Sequence, residues 1–160
     1  MGKPARHRPK SARESALSLV AKRSLSKAEL KSRLARRGFD DAAIEDATLL
    51  VVSYKYVDDE ALADAVVREA ARTGRGPLWV RQSLLKRGVS EALVSRGEDA
   101  ASQSAVDNAR NAAARRFGDL NVLGNEARQK AFRFLCNRGF LVETALLIVG
   151  EDASMISDRM

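Results

Sequence analysis

Basic residues recur on three short segments of this chain, and their chemistry is that of anion binding. Lysines and arginines in each segment have helical spacing, so they can follow a phosphate backbone or an acidic protein surface. A solvated polar face without a partner is the alternative, and the sequence leaves both open. The candidate binding residues are Lys31, Arg33, Arg36 and Arg37 in the first segment, Arg81, Lys86 and Arg87 in the second, and Arg128, Lys130 and Arg138 in the third.

Arg75 and Trp79, the only tryptophan, complete the set of candidate binding residues. Val80 takes the core position by phase, so Trp79 could point outward, where an aromatic ring beside Arg75 suits base stacking or a protein contact. Packing of the ring against a neighbouring unit is the other interpretation. No helical segment carries the Asn, Gln and Arg set typical of base-edge recognition, which argues against sequence-specific reading of DNA.

Catalytic and metal chemistry find little support in the sequence. His7 is the only histidine and precedes the helical segments, which leaves none for a triad or a metal cluster in the core. Cys136 is the only cysteine and lies in an apolar run, where a thiol acts as a small hydrophobe. Asp58 and Asp59 are typical of helix caps rather than metal ligands. We therefore predict a binding protein, not an enzyme, that needs no cofactor and no metal.

The elements that position the basic residues are marked by an Arg-Gly pair that recurs three times. Its glycines are 50 and 51 residues apart, and each pair follows an amphipathic helical pattern. Glycine can adopt the left-handed conformation that ends a helix, so each pair predicts a helix C-terminus. The pairs are Arg37-Gly38, Arg87-Gly88 and Arg138-Gly139, with Leu34, Leu84 and Leu135 before them and Phe39, Val89 and Phe140 after them.

Helix starts are marked as clearly as helix ends. Ser26 and Glu29 form a capping box, and Leu25 and Leu30 are spaced as a hydrophobic staple around it. A sequence period of this length is typical of stacked helical units that share a core. We predict an all-α fold in which tandem repeats of three-helix units form an elongated array. The predicted boundaries are a disordered basic tail at 1–13, three-helix units at 14–57, 58–98 and 99–152, and a C-terminal tail at 153–160.

The formal net charge of +7 is concentrated near the start of the chain. Residues 3–13 hold five basic residues and no acidic one, so the remainder is nearly neutral. Such a tail, with Pro4 and Pro9, is predicted to be disordered and to contact polyanions without specificity. No stretch approaches the roughly 20 apolar residues of a membrane span, and no secretory signal is found, so we expect a cytoplasmic protein.

Several motifs taken together resemble those of the RecX regulatory family, in the family's order and over about residues 14–150. Three departures stand out. Leu62 replaces an aromatic residue, Trp79 stands where a basic residue is common, and Ser95-Arg96-Gly97 predicts an interruption in the last helix of the second unit. The motifs are Ser26-Lys27-Ala28-Glu29-Leu30, Tyr56-Val57-Asp58-Asp59, Gly76-Pro77 with Val80-Arg81-Gln82, and Arg138-Gly139-Phe140.

The resemblance implies tandem three-helix units in a curved, elongated monomer that binds the RecA recombinase filament on single-stranded DNA. It also implies that the protein suppresses ATP hydrolysis and strand exchange, and so modulates recombination and DNA repair. Contact with single-stranded DNA would be indirect or weak, and no membrane partner is expected. The alternative is a helical repeat protein that binds single- or double-stranded nucleic acid without a recombinase partner.

Overall fold

All regular secondary structure in residues 10–150, the part of the chain that the computed structural model describes, is helical. This confirms the predicted all-α fold. The helices follow one another in three successive groups of three, with one 3-10 turn, Leu120–Val122, in the last group. They are α1 Ala12–Val20, α2 Lys27–Ala35, α3 Asp41–Ser53, α4 Asp59–Thr73, α5 Pro77–Lys86, α6 Glu91–Gln103, α7 Ala105–Phe117, α8 Asn125–Asn137 and α9 Val142–Val149.

The chain divides into two compact units after Leu62, a position inside α4. The first unit holds α1, α2 and α3, and the second holds α5 to α9. Within the first unit α1 and α2 both pack on α3, and within the second α5 packs on α6 while α7 packs on α8 and α9. The tandem repeat of three-helix groups is therefore confirmed in the order of the helices.

Serine caps begin the first two helices. Ser26 accepts a hydrogen bond from the backbone N–H of Glu29, and the Glu29 side chain accepts one from the backbone N–H of Ser26. The predicted capping box is thus confirmed, and Ser11 with Glu14 forms a second one at α1. Each box satisfies two backbone donors that a helix start otherwise leaves unpaired, which stabilises the helix by about 1 kcal/mol.

The start of α1 corrects the predicted boundary of the basic tail. We expected disorder through Arg13, whereas α1 begins at Ala12 and Arg13 lies inside it. Arg13 forms a bidentate ion pair with Asp46 on α3, with Nε–Oδ2 and Nη2–Oδ1 distances of 2.5 Å. Counting basic residues missed the cap at Ser11, which decides where the helix begins. Residues 1–9 and the predicted tail at 153–160 lie outside the described residues.

The core of the first unit is built from leucine and small aliphatic residues on the inner faces of its helices. Leu30 and Leu34 on α2 are fully buried, as are Ala47 and Val51 on α3. Val57, in the segment after α3, is nearly fully buried. Burial of one leucine side chain stabilises a fold by roughly 1.5–3 kcal/mol. The core therefore fixes the face of α2 that is turned inward, and with it the opposite face that can carry basic residues.

Alanine dominates the core around α7 in the second unit. Ala109 and Ala113 on α7 are fully buried and pack with Leu135 and Phe140 from α8 and the turn after it. Small side chains allow helix axes to approach closely, so the larger Leu135 and Phe140 fill the space that alanine leaves. The packing brings the C-terminal end of α7 beside α8.

Helix α6 corrects the predicted interruption at Ser95-Arg96-Gly97. The helix runs without a break from Glu91 to Gln103, and α7 begins at Ala105. Gly97 is buried because α5 approaches closely: a Cβ there would lie 2.7 Å from Leu84 Cδ1. The glycine therefore permits tight packing rather than ending the helix. The predicted boundary between residues 98 and 99 falls inside α6.

The three Arg-Gly pairs end their helices in one way. Each glycine has a positive φ, +83° at Gly38, +67° at Gly88 and +83° at Gly139. The residue after each glycine donates its backbone N–H to the leucine carbonyl five residues earlier, which closes the turn. This accounts for the shared phase of leucine, glycine and apolar residue in the sequence. The closing bonds join Phe39 to Leu34, Val89 to Leu84, and Phe140 to Leu135.

Candidate functional site

The basic residues of the first unit lie on α2 and the turn that follows it. Lys31 Nζ is 2.6 Å from Glu45 Oε2 on α3, so its charge is neutralised locally in an exposed ion pair. Arg36 and Arg37 are exposed and Arg33 is half-buried. Among the described residues, these three arginines have no ion pair and no side-chain hydrogen bond. They are the predicted residues of this unit that can meet a partner.

Arg81, on α5, forms ion pairs that join α5 to α6. Its guanidinium lies 3.0 Å from Glu98 Oε2 and 2.9 Å from Glu91 Oε1, both on α6. The hydrogen bonds that Arg81 donates to these carboxylates, that to Glu98 first, raise the pKa of Arg81. Lys86 is exposed at the end of the helix, and Arg87 is its half-buried C-cap residue. The second basic segment therefore offers a partner less charge than its sequence suggests.

On α8, two predicted binding residues have structural partners. Arg128 donates from Nε to the Leu123 carbonyl at 3.0 Å and from Nη1 to the Val149 carbonyl at 3.3 Å, which ties the end of α9 to α8. Lys130 is exposed and forms an ion pair with Glu126, one helical turn earlier, at 2.7 Å. Water screens such an exposed pair, so its contribution to helix stability is small.

Arg138 lies at a joint between the loop after α4 and the turn after α8. Its Nη1 donates to the Thr73 carbonyl at 2.6 Å and to the Gly74 carbonyl at 3.3 Å. In the opposite direction, the backbone N–H of Gly76 donates to the Arg138 carbonyl at 2.8 Å. The backbone N–H of Leu78 donates to the Gly139 carbonyl at 3.0 Å. We call this set of contacts the loop joint.

Trp79 packs at the loop joint. It is half-buried, and a Cβ on Gly139 would lie 2.6 Å from Trp79 N and 2.9 Å from Trp79 Cβ. The backbone and Cβ of Trp79 are therefore packed closely against the turn after α8. Arg75 places its guanidinium 5.6 Å from the centre of the Trp79 ring, in a cation–π contact. The sequence had linked these two residues, and the structure brings them together.

Two arginines that the sequence analysis missed complete this region. Arg115 and Arg116, in the last turn of α7, line a cavity of about 220 Å³ with Arg138. The other lining residues are Thr73, Ala112 and Phe134. We call this cavity the arginine cleft. The sequence carries a weaker signal for them, since Arg115 and Arg116 precede Gly118 by three and two residues, whereas the arginine of each Arg-Gly pair directly precedes its glycine.

Charge in the arginine cleft is unbalanced. The pKa of Arg138 is lowered, first because burial removes water from its guanidinium and then because Arg75, Arg115 and Arg116 carry like charge nearby. The Arg138 guanidinium also lies 4.7 Å from the centre of the Phe134 ring. Four of the chain's arginines therefore share one small region of the second unit, and only Arg75 and Arg138 among them were predicted as binding residues.

The residues considered for catalysis or metal binding have structural roles. Asp58 Oδ1 accepts backbone hydrogen bonds from Glu60 and Ala61 at 3.0 Å each, which lowers its pKa and caps α4. Asp59 accepts from the Lys27 backbone N–H. Cys136 is half-buried, and burial raises the pKa of its thiol, which keeps it protonated and weakly nucleophilic.

Residues 10–150 lack two broader features. No group of three or more His, Cys, Asp and Glu side chains is placed there to hold a metal ion. No helix in the same range is long and apolar enough to cross a bilayer. The described surface carries two groups of arginines that form no ion pair: Arg33, Arg36 and Arg37 at the end of α2, and those of the arginine cleft.

Comparison with known proteins decides the family. Residues 12–47 match a family model described as RecX, first three-helix domain, and residues 58–96 match RecX, second three-helix domain. The chain is 33% identical over 139 residues to the Regulatory protein RecX of Stenotrophomonas maltophilia strain K279a, covering 87% of this chain and 85% of that protein. The chain belongs to the RecX family. The RecX of Vibrio campbellii is 30% identical over 130 residues, covering 81% of this chain and 84% of that protein.

Solved RecX structures agree with the fold. The crystal structure of RecX from Lactobacillus salivarius matches with a TM-score of 0.70 at 18% identity, over 86% of this chain and 92% of that one. A second crystal structure, of regulatory protein RecX, matches with a TM-score of 0.68 at 22% identity, over 86% and 70% of the two chains. At this identity the likeness establishes the RecX fold. The first family model begins at Ala12, where α1 begins in the structure.

Proposed function

We propose that this RecX-family protein binds the RecA recombinase filament on single-stranded DNA and inhibits its ATP hydrolysis and strand exchange. In this role it modulates recombination and DNA repair in the cytoplasm, as a monomer that binds rather than catalyses. The observation that carries the proposal is the alignment over 87% of the chain with a relative named Regulatory protein RecX. The earlier resemblance of the motifs to the RecX family supplies the recombinase as the partner.

The surface proposed to meet the filament in the first unit is the end of α2. Arg33, Arg36 and Arg37 supply positive charge, and none of them forms an ion pair within the described residues. Of the remaining predicted residues, Lys86 is exposed, whereas Arg81 and Arg128 are occupied by contacts within their own unit. Contacts spread over several helices add up, so each charge should contribute little alone and much in combination.

Inhibition in this proposal arises from a shift between filament states. A protein that binds one state of the filament better than another moves the population toward that state, by no more than the difference in binding free energy. Preference for a state with slow ATP hydrolysis would lower the rate without blocking any active site. The protein then needs a shape and charge that fit one state, and no catalytic residue.

The test is ATP hydrolysis by the recombinase from the same source, preassembled on single-stranded DNA, while this protein is titrated. We expect inhibition well below one molecule per recombinase subunit, at concentrations where the protein does not bind DNA alone. The triple variant Arg33→Glu, Arg36→Glu, Arg37→Glu should lose the inhibition, while each single variant keeps most of it. Unchanged hydrolysis in the presence of the wild-type protein would reject the proposal.

The second candidate function is nucleic-acid binding without a recombinase partner, and the arginine cleft is the observation that favours it. Under that alternative, hydrolysis falls only when the protein coats the DNA, and the fall has a steep salt dependence.

Deletion of residues 1–9 measures how much the basic N-terminal segment contributes to inhibition. The deletion stops before Ser11 because that residue caps α1. We expect the deleted protein to keep most of its inhibition.

A further inference from the structure

The arginine cleft gathers positive charge from three separate parts of the second unit. Arg115 and Arg116 at the end of α7 and Arg138 in the turn after α8 line it, and Arg75 in the loop after α4 lies near enough to act on the charge of Arg138. Helix packing and the loop joint hold these parts together. The cleft is thus a built feature of the unit and not a run of charge along one helix.

No carboxylate balances this charge. None of the four arginines forms an ion pair with any residue in the part of the chain that the structure describes. Elsewhere in the same unit arginines do find acidic partners, as Arg72 does with Glu69 and Arg96 with Asp64. The hydrogen bonds that Arg115 and Arg138 make go to backbone carbonyls, which carry no net charge. Three arginines lining one cavity, with Arg75 close by, lower the free energy of any multivalent anion that enters it.

A larger groove lies beside the cleft and shares one lining residue with it. This groove has a volume of about 690 Å³ and lies between the end of α4 and α7. Arg115 lines both the cleft and the groove. Asn108 and Asn111 contribute carboxamides to the groove wall, and a carboxamide both donates and accepts hydrogen bonds as a nucleobase edge does. An extended ligand can therefore place its charge in the cleft and a polar, uncharged group in the groove.

We propose that the arginine cleft binds the backbone phosphate of a single nucleic-acid strand, with the adjoining groove taking a neighbouring nucleotide. The inference deepens the DNA contact of the proposed function, and it rests on that function only for the choice of a single strand. Guanidinium groups suit this role because their fork of N–H donors matches phosphate oxygens. A contact of this kind reads no sequence, which fits a protein that acts along DNA regardless of base order.

A nucleic-acid strand fits the site better than an acidic protein surface does. The cleft is small and is lined by three arginines, which suits one compact oxyanion that accepts several hydrogen bonds. Acidic side chains on a protein surface are attached to separate residues, so they do not present linked oxyanions at the regular spacing of a phosphate backbone. Free phosphate or pyrophosphate shares the oxyanion chemistry but cannot occupy the groove, so it should bind the cleft more weakly than the strand.

The experiment measures binding of a labelled thymidine oligonucleotide of about 12 nucleotides by fluorescence anisotropy, without recombinase. The variant is Arg115→Ala with Arg116→Ala, because alanine keeps the helix and neither side chain belongs to the loop joint. Loss of two phosphate contacts should weaken binding at about 0.1 M salt by about tenfold or more. It should also reduce the slope of log affinity against log salt by about 1.4.

The matched control is Arg68→Ala with Arg133→Ala. Both residues are exposed arginines of the second unit that line neither the cleft nor the groove, and the double variant has the same net charge. We expect a change in affinity of less than about threefold for this control. Equal losses in the two variants would overturn the proposal in favour of diffuse attraction. Absence of binding by the wild-type protein at low salt would overturn it as well.

Competition arms identify the source of the anion. We expect an unlabelled oligonucleotide to displace the probe at far lower concentration than pyrophosphate does. We also expect polyglutamate of equal charge to displace the probe poorly. Displacement by polyglutamate as effective as by the oligonucleotide would overturn the nucleic-acid assignment and indicate an acidic protein partner.

The two proposals can fail separately. If the wild-type protein inhibits recombinase ATP hydrolysis but the Arg115→Ala, Arg116→Ala variant binds the oligonucleotide as tightly as wild type, only the cleft assignment is wrong. If the cleft variant loses oligonucleotide binding but the wild-type protein leaves ATP hydrolysis unchanged, the cleft stands and the recombinase proposal fails. Circular dichroism of each variant checks that the helices are intact.

Discussion

Two Arg-Gly turns of this chain have the same backbone conformation and different surroundings. Gly38 and Gly139 both have a φ of +83°. A Cβ at Gly38 would meet no atom within 4 Å, whereas one at Gly139 would lie 2.6 Å from Trp79 N. Arg37 is exposed, while Arg138 donates to two backbone carbonyls. The motif thus determines how the helix ends, and the packed neighbour determines whether its arginine can meet a partner.

The largest expected effect comes from closing the space at the loop joint. In Gly76→Ala, the new Cβ would lie 2.3 Å from the Gly139 carbonyl oxygen, so the hydrogen bonds of the joint must break or shift. We expect a loss of about 3 kcal/mol of unfolding free energy. Denaturant unfolding followed by circular dichroism measures it. Gly38→Ala is the control, with a cost of about 1 kcal/mol from its positive φ alone. Similar losses in both variants would remove the distinction between the two turns.

The next effect separates the arginines of the two turns. Arg138→Ala removes a charged donor from two backbone carbonyls, which should lower the unfolding free energy by about 2 kcal/mol. Arg37→Ala removes an exposed side chain and should change it by less than about 0.5 kcal/mol. Urea unfolding of both variants makes the comparison. An Arg138→Ala protein as stable as wild type would mean that water replaces these hydrogen bonds without cost.

A smaller effect depends on pH. Hydrogen bonds from Arg13 are the chief cause that lowers the pKa of Asp46, with the charge of Arg13 adding to it and desolvation opposing. Because the folded-state pKa lies below the unfolded one, the pair stabilises the protein above the unfolded pKa. That stability is lost as pH falls through the folded pKa. The carbonyl acceptors of Arg138 do not titrate.

The measurement is unfolding free energy of Arg13→Ala and Arg138→Ala against wild type between about pH 6 and about pH 2. We expect the Arg13→Ala difference to vanish at the acidic end while the Arg138→Ala difference persists. A direct check is the NMR titration of Asp46, whose pKa should rise toward its ordinary value in Arg13→Ala. Acid loss of the Arg138→Ala difference would show that a carboxylate contributes to the loop joint after all.

The smallest expected effect on stability is at the turn that contains Gly38. The double variant Arg36→Glu, Arg37→Glu should change the unfolding free energy by less than about 0.5 kcal/mol, because both side chains are exposed. The same variant should weaken inhibition of recombinase ATP hydrolysis, since the proposed partner surface loses its charge. Thermal unfolding and the hydrolysis assay, run on one preparation, report the two properties side by side. Weak inhibition together with a large loss of stability would contradict the prediction, because it would mean that Arg36 and Arg37 stabilise the fold.

Local features of the fold could be predicted from the sequence because their signals lie within one turn of helix. The capping box at Ser26 and the positive φ at Gly38 depend on neighbours three to five residues away. Gly97 was misread because a glycine that breaks a helix and one that admits a neighbouring helix look alike in a sequence. Only the position of Leu84 on the adjacent helix distinguishes them.

The candidate site was predictable only in part, since side-chain partners come from distant positions. Arg138 and Thr73 are 65 residues apart in the chain. Arg81 and Arg128 carry the same charge as Arg36 in the sequence, yet Glu98 and the Val149 carbonyl occupy them. Arg115 and Arg116 were missed because they belong to none of the three repeated segments. Charge and spacing therefore identified basic helix ends, whereas the availability of each arginine depended on packing.

The placement of aromatic residues gives each compact unit its own optical signal. Trp79, the only tryptophan, has its backbone against Gly139 in the second unit. Both tyrosines, Tyr54 and Tyr56, lie in the first unit with ring centres 5.8 Å apart. Tryptophan fluorescence and tyrosine absorbance can therefore follow the two units in an unlabelled, unmodified protein. Coincident transitions would mean that the chain unfolds as one cooperative body, and separate transitions would reveal which unit opens first.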